Sequence, residues 1–374
     1  MRVLMQSRIN FNSLPGGDTV QLLKTKDQLE RLGVKVDISL DWETDLSDYD
    51  LVHLSNVTRI QETYLHMKNA EKQNKPVVLS TIFWPMNDFE RNGQVGIRRI
   101  LNEKLDIDNI ERLKAIARYI KDVSVRNLST HNLITIGYTK MQRYVINNAD
   151  VLLPNSEMEM CKLKESFGID SRDYIVVPNG IDDKIASKRL AEEESIEFAE
   201  FRDAIICVGR IETRKNQLAL VKALDNSGYK LVLVGGVSSN HQKYFEVIKK
   251  YINRNDGFVY IPRIENEKLY LLYKSCRVSA LPSWLDTPGL VSLEAGAMGC
   301  NLAISTRGST REYFGDDAFY CEPDDIESIR VAVDSAYSKG KDHRLQNKIF
   351  EKYTWSEAAK ATLRGYELAL NKRK

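Results

Sequence analysis

Short apolar runs alternate with longer amphipathic segments in the first half of the chain. Apolar runs at residues 2–5, 34–38, 51–54 and 77–80 predict four strands. Between the first two, Asp18 with Gln21 three positions later predicts a capping box, and the helix that it opens extends to Leu32 and ends at Gly33. Strand and helix in repetition predict parallel βαβ units. Residues from about 95 to 147 are predicted to be mainly helical, and short strands are predicted at 149–154 and 174–177.

A second series of the same kind follows the turn signal Pro178-Asn179-Gly180 and a polar, acidic segment at 187–200 that is expected to bridge two domains. Its strands are predicted at 204–208, 230–234, 258–261, 278–281 and 301–304. The chain is therefore predicted to form two Rossmann-like, doubly wound α/β domains, residues 1–180 and 181–354, that face each other across a cleft. The capping box Thr354-Trp-Ser-Glu357 predicts a last helix over 355–370 whose apolar face packs on a domain.

Composition excludes several classes of protein. Of 374 residues, 43% are apolar and 28% charged, which is typical of a soluble globular chain, and a net charge of +2 gives no argument for broad nucleic-acid binding. The five cysteines form no CxxC pair and lie near no histidine cluster, which favours a reducing compartment and no zinc site. No apolar run approaches ~20 residues, and the first apolar run is too short for a signal peptide, so neither a membrane span nor a leader is expected.

The basic residues are unevenly distributed. Residues 91–143 contain eleven Lys or Arg against five acidic residues. One interpretation is a solvated helical face. The other is a surface for anionic lipid headgroups or for a phosphate-bearing acceptor.

Cations follow the first strand of the second series. Ligands of open α/β sheets bind at the carboxyl ends of the strands. Here the strand ends at Gly209, and Arg210 and Lys215 follow in the loop. A planar guanidinium fork and a lysine point charge together suit a diphosphate. The alternative is ordinary surface cations near a turn.

Residues 281–300 combine a helix start with two carboxylates. The apolar run stops at Pro282-Ser283, and Thr287 is predicted to cap a helix that begins at Pro288. At the start of this helix, the N–H groups of Gly289, Leu290 and Val291 would be unpaired and would attract phosphate. Asp286 precedes the helix, and Glu294 within it is predicted to accept hydrogen bonds from a ribose. Alternatively, Glu294 is a buried acid paired with a lysine.

Two further loops carry weaker signals. Gly235-Gly236 follows a strand and is either a ligand loop or a plain turn. Ile264, in the loop Ile261-Pro-Arg-Ile264, lies where a nucleotide base would meet the backbone, or is simply structural.

Several motifs, taken together and in order, resemble the GT-B nucleotide-sugar glycosyltransferases, specifically the large retaining family 4 (glycosyl transferases group 1). The resemblance covers nearly the whole chain. The motifs are Gly16-Gly17 after the first strand, Ala149-Asp150 leading to Asn155-Ser156, Val177-Pro-Asn-Gly-Ile-Asp182, Gly209-Arg210 with Lys215-Asn216, Leu281-Pro-Ser283, the pair Asp286 and Glu294, and the helix from Trp355 to Tyr366.

The resemblance implies that the two domains bind different substrates. The second domain would hold the nucleotide, the first would hold the acceptor, and the last helix would cross back onto the first domain. Arg210 and Lys215 would grip the donor diphosphate and Asp286 would lie near the sugar hydroxyls, and these three are the expected catalytic residues. Glu294 would bind the ribose, and the backbone of the Gly16-Gly17 loop would approach the donor. No metal ion or other cofactor is expected.

The same resemblance implies transfer of a hexose-type sugar, with retained configuration, from a nucleoside-diphosphate sugar to a glycan or lipid-linked acceptor. The leaving phosphate would take the acceptor's proton. The expected setting is bacterial surface polysaccharide or glycolipid synthesis in the cytoplasm, with peripheral contact to an anionic membrane and no nucleic-acid partner.

Two departures from the family pattern leave alternatives open. The first acid of the motif is Asp286 where many relatives have Glu, and no histidine follows the fourth strand. Trp84 and Asp88 are candidates to line the acceptor cleft there, although Phe83 and Trp84 equally suit core packing. A sugar-nucleotide epimerase and a catalytically inactive scaffold are the competing functions. A nicotinamide dehydrogenase is disfavoured because no G-x-G-x-x-G follows a strand.

Overall fold

A computed structural model describes residues 1–13, 16–86, 89, 93, 105–183, 185, 196–287, 289–340 and 343–373. The chain divides into two compact units. The second contains Gly180–Thr354, and the first contains most of the residues before it together with Trp355–Lys374. Each unit is built around its own parallel sheet.

The first unit contains a five-stranded parallel sheet in the order β2-β1-β3-β4-β5. Its strands are β1 (Arg2–Gln6), β2 (Lys35–Ser39), β3 (Leu51–Ser55), β4 (Val77–Ser80) and β5 (Val151–Leu153). Its helices are α1 (Gly17–Arg31), α2 (Ile60–Lys72), α3 (Ile107–Lys121), α4 (Leu128–Thr135), α5 (Tyr138–Asn148) and α6 (Glu157–Phe167). Strands β3, β4 and β5 are buried throughout, because helices cover both faces of a parallel sheet.

The second unit contains a six-stranded parallel sheet in the order β11-β10-β9-β6-β7-β8. Its strands are β6 (Ile205–Val208), β7 (Leu231–Val234), β8 (Phe258–Ile261), β9 (Val278–Leu281), β10 (Asn301–Ser305) and β11 (Ala318–Cys321). Its helices are α7 (Gln217–Ala223), α8 (Gln242–Ile252), α9 (Asn266–Ser275), α10 (Leu290–Ala297), α11 (Thr310–Phe314), α12 (Ile326–Ser338) and α13 (Arg344–Lys352). One hydrophobic cluster spans this unit.

The last helix, α14 (Trp355–Asn371), packs on the first unit against α1 and β5. Gly365 allows the close approach, since a Cβ there would lie 2.7 Å from Leu153. The Tyr366 hydroxyl lies 2.7 Å from His53 Nδ1, and His53 Nε2 lies 2.8 Å from the Ser80 hydroxyl. A buried polar chain thus links α14 to β3 and β4.

The prediction of two doubly wound α/β domains is confirmed, whereas two local expectations are wrong and one strand was missed. Residues 174–177 form no strand, and only Tyr174 makes a single bridge, to Leu152. Asp18 does not cap α1, because Gly16 is the N-cap residue and Asp18 lies in the first turn. Strand β11 was not predicted. Most of the predicted bridging segment at 187–200 lies outside the described residues, and its end belongs to a 3₁₀ turn at Ile196–Phe201.

Among the described residues, no helix combines the length and apolar character needed to cross a bilayer.

Candidate functional site

Two glycines bring the loops after β6 and β7 into contact. Gly209 has φ 151° and Gly235 has φ 140°, backbone conformations that favour glycine. A Cβ on Gly235 would lie 2.2 Å from the Gly209 carbonyl oxygen, so a side chain cannot fit there. The N–H of Gly209 donates to the Val234 carbonyl at 2.9 Å. These contacts fix where the chain leaves β6 and enters the cationic loop.

Arg210, the first residue of that loop, exposes its side chain. Its carbonyl oxygen accepts a hydrogen bond from Gln217 Nε2 at 2.9 Å, so its backbone is held in place. Its guanidinium has no ion-pair or hydrogen-bond partner among the described residues. An anchored backbone with a free guanidinium is suited to bind an anion from solution.

Lys215 and Asp286 form an ion pair that joins the β6 loop to the β9 loop. Lys215 Nζ lies 2.7 Å from Asp286 Oδ1, and only 12% and 10% of the two side chains are exposed. The Ser283 hydroxyl donates to the other oxygen of Asp286. The structure therefore brings together two residues that the sequence places 71 positions apart.

The loop after β10 contacts the backbone of Asp286. The Ser309 N–H donates to the Asp286 carbonyl at 3.3 Å, and a Cβ on Gly308 would lie 1.8 Å from that same oxygen. Gly308 has φ 101°, which also favours glycine. The sequence analysis did not identify this contact. A glycine next to serine after a strand was its only signal.

Arg214 also contacts the loop that contains Asp286, and the sequence analysis did not identify it. Its guanidinium donates to the Leu285 carbonyl at 2.8 Å and to Glu212 Oε1 at 2.9 Å. It therefore ties the segment before Asp286 to the β6 loop.

Helix α10 begins two residues later than expected. Its first residue is Leu290, and Gly289, with φ 89° and ψ 92°, is the N-cap residue, so the predicted cap at Thr287 is wrong. Pro288 lies outside the described residues. The N–H groups of Ser292 and Leu293 donate to the Gly289 carbonyl. No acceptor among the described residues takes the N–H of Gly289, Leu290 or Val291, as expected for the start of a helix.

Glu294 lies one turn into α10 and is half-buried. Burial, followed by the negative charge of Glu294, raises the pKa of the Tyr270 and Tyr273 hydroxyls on α9. The fully buried Tyr273 hydroxyl has no hydrogen-bond partner in the described part of the chain.

Ile264, just before α9, is half-buried and packs against the core of the second unit.

Gly16 and Gly17 lie in the first unit, at the start of α1. Gly16 caps the helix and its N–H donates to the Thr19 hydroxyl at 3.2 Å. Beside them, the buried Arg8 donates to both carboxylate oxygens of Asp18. Burial acts to raise the pKa of Asp18, but the Arg8 guanidinium outweighs it, and the pKa is lowered. That these glycines approach a donor stays a prediction.

The loop after β4, where the family pattern has a histidine, is held by a buried carboxylate. Glu159 accepts hydrogen bonds from the Thr81 hydroxyl and from the Phe83 N–H at 2.8 Å. Ile82 between them has φ 44°, an unusual conformation for a β-branched residue. Phe83 is buried 5.2 Å from the Phe167 ring, so core packing accounts for it, whereas Trp84 is only half-buried. Asp88 lies outside the described residues.

Within the described ranges, no three His, Cys, Asp or Glu residues cluster in a way that would hold a metal ion.

Residues 189–352 match the family model described as glycosyl transferases group 1. The match lies within the second unit, which therefore resembles this family. An uncharacterized glycosyltransferase, MJ1607, of Methanocaldococcus jannaschii is 28% identical to this chain over 57% of each chain's length. The match thus spans little more than half of that relative.

Solved structures extend the likeness to the whole chain. Sucrose-phosphate synthase from Thermosynechococcus elongatus superposes with a TM-score of 0.71 and 14% identity, covering 99% of each chain. Anabaena Alr3699/HepE in complex with UDP-glucose gives a TM-score of 0.58 and 14% identity, covering 100% of this chain and 98% of its own. The protein therefore has the GT-B fold.

Proposed function

We propose that this protein is a glycosyltransferase of group 1 that moves a hexose-type sugar from a nucleoside-diphosphate sugar to a glycan or lipid-linked acceptor with retention of configuration. The observation that carries the proposal lies at the carboxyl ends of β6 and β9. There, the cations Arg210 and Lys215 lie on one loop, and the Lys215–Asp286 pair links that loop to the segment that starts α10. The HepE structure, which has the same fold, contains UDP-glucose.

The donor diphosphate is expected to bind at these cations. An ammonium has three N–H donors, and Asp286 takes one from Lys215, so two are left for phosphate oxygens. The Asp286 carboxylate also fixes the direction of the lysine side chain. The free N–H groups of Leu290 and Val291 carry the partial positive charge of a helix start, which favours the same anion.

The proposed reaction breaks the bond between sugar C1 and the diphosphate oxygen. Negative charge then develops on the leaving phosphate, and donors already oriented toward it lower the barrier. The acceptor oxygen attacks C1 from the same face, and its proton passes to the leaving phosphate. The two cations and the helix start neutralise that charge, so the proposal requires no metal ion and no enzymatic general base.

In this proposal, Glu294 binds the ribose of the donor and Asp286 binds the sugar that is transferred. A half-buried carboxylate at Glu294 accepts hydrogen bonds from the ribose hydroxyls in a site with little competing water. Asp286 accepts from a sugar hydroxyl. Its side chain is one methylene shorter than the glutamate of many relatives, so we expect it to select which hydroxyl is recognised.

The acceptor is proposed to bind on the first unit. The proposed setting is surface polysaccharide or glycolipid synthesis at the cytoplasmic face of a membrane, where a lipid-linked acceptor is presented.

A thermal-shift panel of UDP, GDP and ADP sugars tests donor binding first. Preferential binding to the folded state raises the unfolding temperature, so one base should stabilise the protein. The Arg210→Ala and Glu294→Ala variants should lose that shift. A panel with no stabilisation by any sugar nucleotide would favour the inactive scaffold. Conversion of the donor to its epimer without added acceptor would favour the epimerase.

A further inference from the structure

The carboxyl-terminal half of α3 is exposed on every side. Ile110 and Ala115 are the buried residues of this helix, and each residue from 116 to 123 is exposed. The side chains of Ile120 and Val123 are 69% and 71% exposed, more than any other large apolar residue among those described. Such contiguous apolar exposure marks an interaction surface rather than a core. We call residues 116–126 the α3 tip.

Side-chain hydrogen bonds close both ends of α3. Asp106 caps the start of α3 by accepting from the Asn109 N–H at 2.8 Å. At the other end, Arg126 donates to the Tyr119 carbonyl at 2.8 Å and to the Ile120 carbonyl at 3.4 Å, which satisfies acceptors that a helix end leaves unpaired. The exposed apolar residues are therefore presented on a closed helix end.

Basic residues outnumber acidic ones in the α3 tip. It contains Arg118, Lys121 and Arg126 against one acidic residue, Asp122. Exposed isoleucine and valine, an exposed tyrosine and neighbouring cations are the composition of segments that lie in a membrane interface.

We propose that the α3 tip docks on a bilayer that contains anionic lipid. Ile120 and Val123 enter the boundary between headgroups and acyl chains, and Arg118 and Lys121 stay with the lipid phosphates. Charge favours this occupant over a second copy of the chain, because two α3 tips in contact would bring like charges together. The inference deepens the proposed function by naming the surface that would meet the membrane, and no residue assigned to the donor belongs to the α3 tip.

Vesicle flotation of the full chain tests the proposal. We expect the protein to float with vesicles of phosphatidylcholine and phosphatidylglycerol, not with phosphatidylcholine alone, and to be partly released by salt. The Ile120→Asp/Val123→Asp variant should no longer float. Each cation removed near an anionic surface lowers partitioning about fivefold, so Arg118→Gln/Lys121→Gln should lower it about 30-fold. Val331→Asp on α12, where the side chain is 53% exposed, is the matched control and should float normally.

Two controls separate the proposal from other causes. Thermal unfolding and the thermal shift with donor should be the same in the tip variants and the parent, so a failed sugar-transfer assay has no bearing on the result. Flotation that the tip substitutions leave unchanged, equal flotation with neutral vesicles, or no flotation would overturn the proposal. Conversion of a dimer to a monomer by Ile120→Asp/Val123→Asp, without lipid binding, would identify a second copy as the occupant and overturn it as well.

Discussion

Removal of Arg210 or of Lys215 should reduce turnover similarly but should change the free energy of unfolding by different amounts. Both are proposed to face the donor diphosphate, yet the Arg210 guanidinium is exposed while the Lys215 ammonium forms a mostly buried ion pair. Removal of an exposed side chain usually changes the free energy of unfolding by less than about 0.5 kcal/mol. Removal of one partner of a buried pair costs about 3–5 kcal/mol, because the other charge is left without compensation.

The expected loss at Lys215 lies at the lower end of that range. In Lys215→Ala, Asp286 keeps the hydrogen bond from the Ser283 hydroxyl, and Arg214 Nη1 lies 4.0 Å from its Oδ1. We therefore expect Lys215→Ala to destabilise the second unit by about 3 kcal/mol and Arg210→Ala by less than about 0.5 kcal/mol. Turnover at saturating donor should fall about 10²- to 10³-fold in both, as for the loss of one donor to a developing oxyanion.

Urea unfolding and steady-state sugar transfer measure the two effects. The triple variant Lys215→Met/Ser283→Ala/Asp286→Leu is the matched control, since an apolar pair of similar size can replace a buried ion pair without loss of stability, and the buried Ser283 hydroxyl is removed together with its acceptor. It should recover the urea midpoint but not the turnover. If Lys215→Ala unfolds at the same urea concentration as Arg210→Ala, the ion pair does not stabilise the fold. If both single variants transfer sugar at the parent rate, the site assignment is wrong.

Three further results are expected. Gly308→Ala should lower both stability and turnover, because its Cβ would displace the Asp286 carbonyl 1.8 Å away, whereas Gly340→Ala, with no atom within 4 Å, should behave like the parent. Glu159→Ala should destabilise the first unit by about 3 kcal/mol, since it leaves several buried donors unpaired, and normal urea unfolding of this variant would contradict that role. Burial lowers the pKa of His53 to about 4, so unfolding takes up a proton below the ordinary value of 6.5. As the pH is lowered from about 6.5 to about 4, His53 should therefore reduce the free energy of unfolding by up to about 1.4 kcal/mol per pH unit. His53→Gln should show a shallower dependence than the parent, and part of the dependence should remain because burial also lowers the pKa of His66 to about 4.

The strands could be predicted from the sequence because those of a parallel sheet are buried on both faces and appear as continuous apolar runs. Strand β11 was missed although its run Ala318–Cys321 is apolar, and its place at a sheet edge does not explain this, because the edge strands β2 and β8 were predicted. Residues 174–177 have a similar apolar composition but make a single bridge, which shows that composition does not determine pairing.

For the candidate site, the sequence predicted which residues follow the strand ends. It did not predict which other residues they contact. The Lys215–Asp286 pair and the support of Asp286 by Gly308 depend on loops that meet only in the folded chain. The helix start was misplaced because Thr287 and Pro288 form a good capping signal locally, whereas Gly289 has a positive φ that no helix residue adopts. In the same way, Asp18 looked like a cap, but in the fold it pairs with Arg8.

The polar chain between Tyr366 and His53 has a consequence for synthesis on the ribosome. The first unit receives its last helix only after Gly180–Thr354 has been translated. At about 5–20 residues per second, this takes roughly 10 to 35 seconds, long compared with the folding of a single domain. During that interval the nascent first unit has an uncovered face at α1 and β5, while the second unit can fold completely. A chaperone that acts during translation would therefore find its binding surface on the earlier half of the chain.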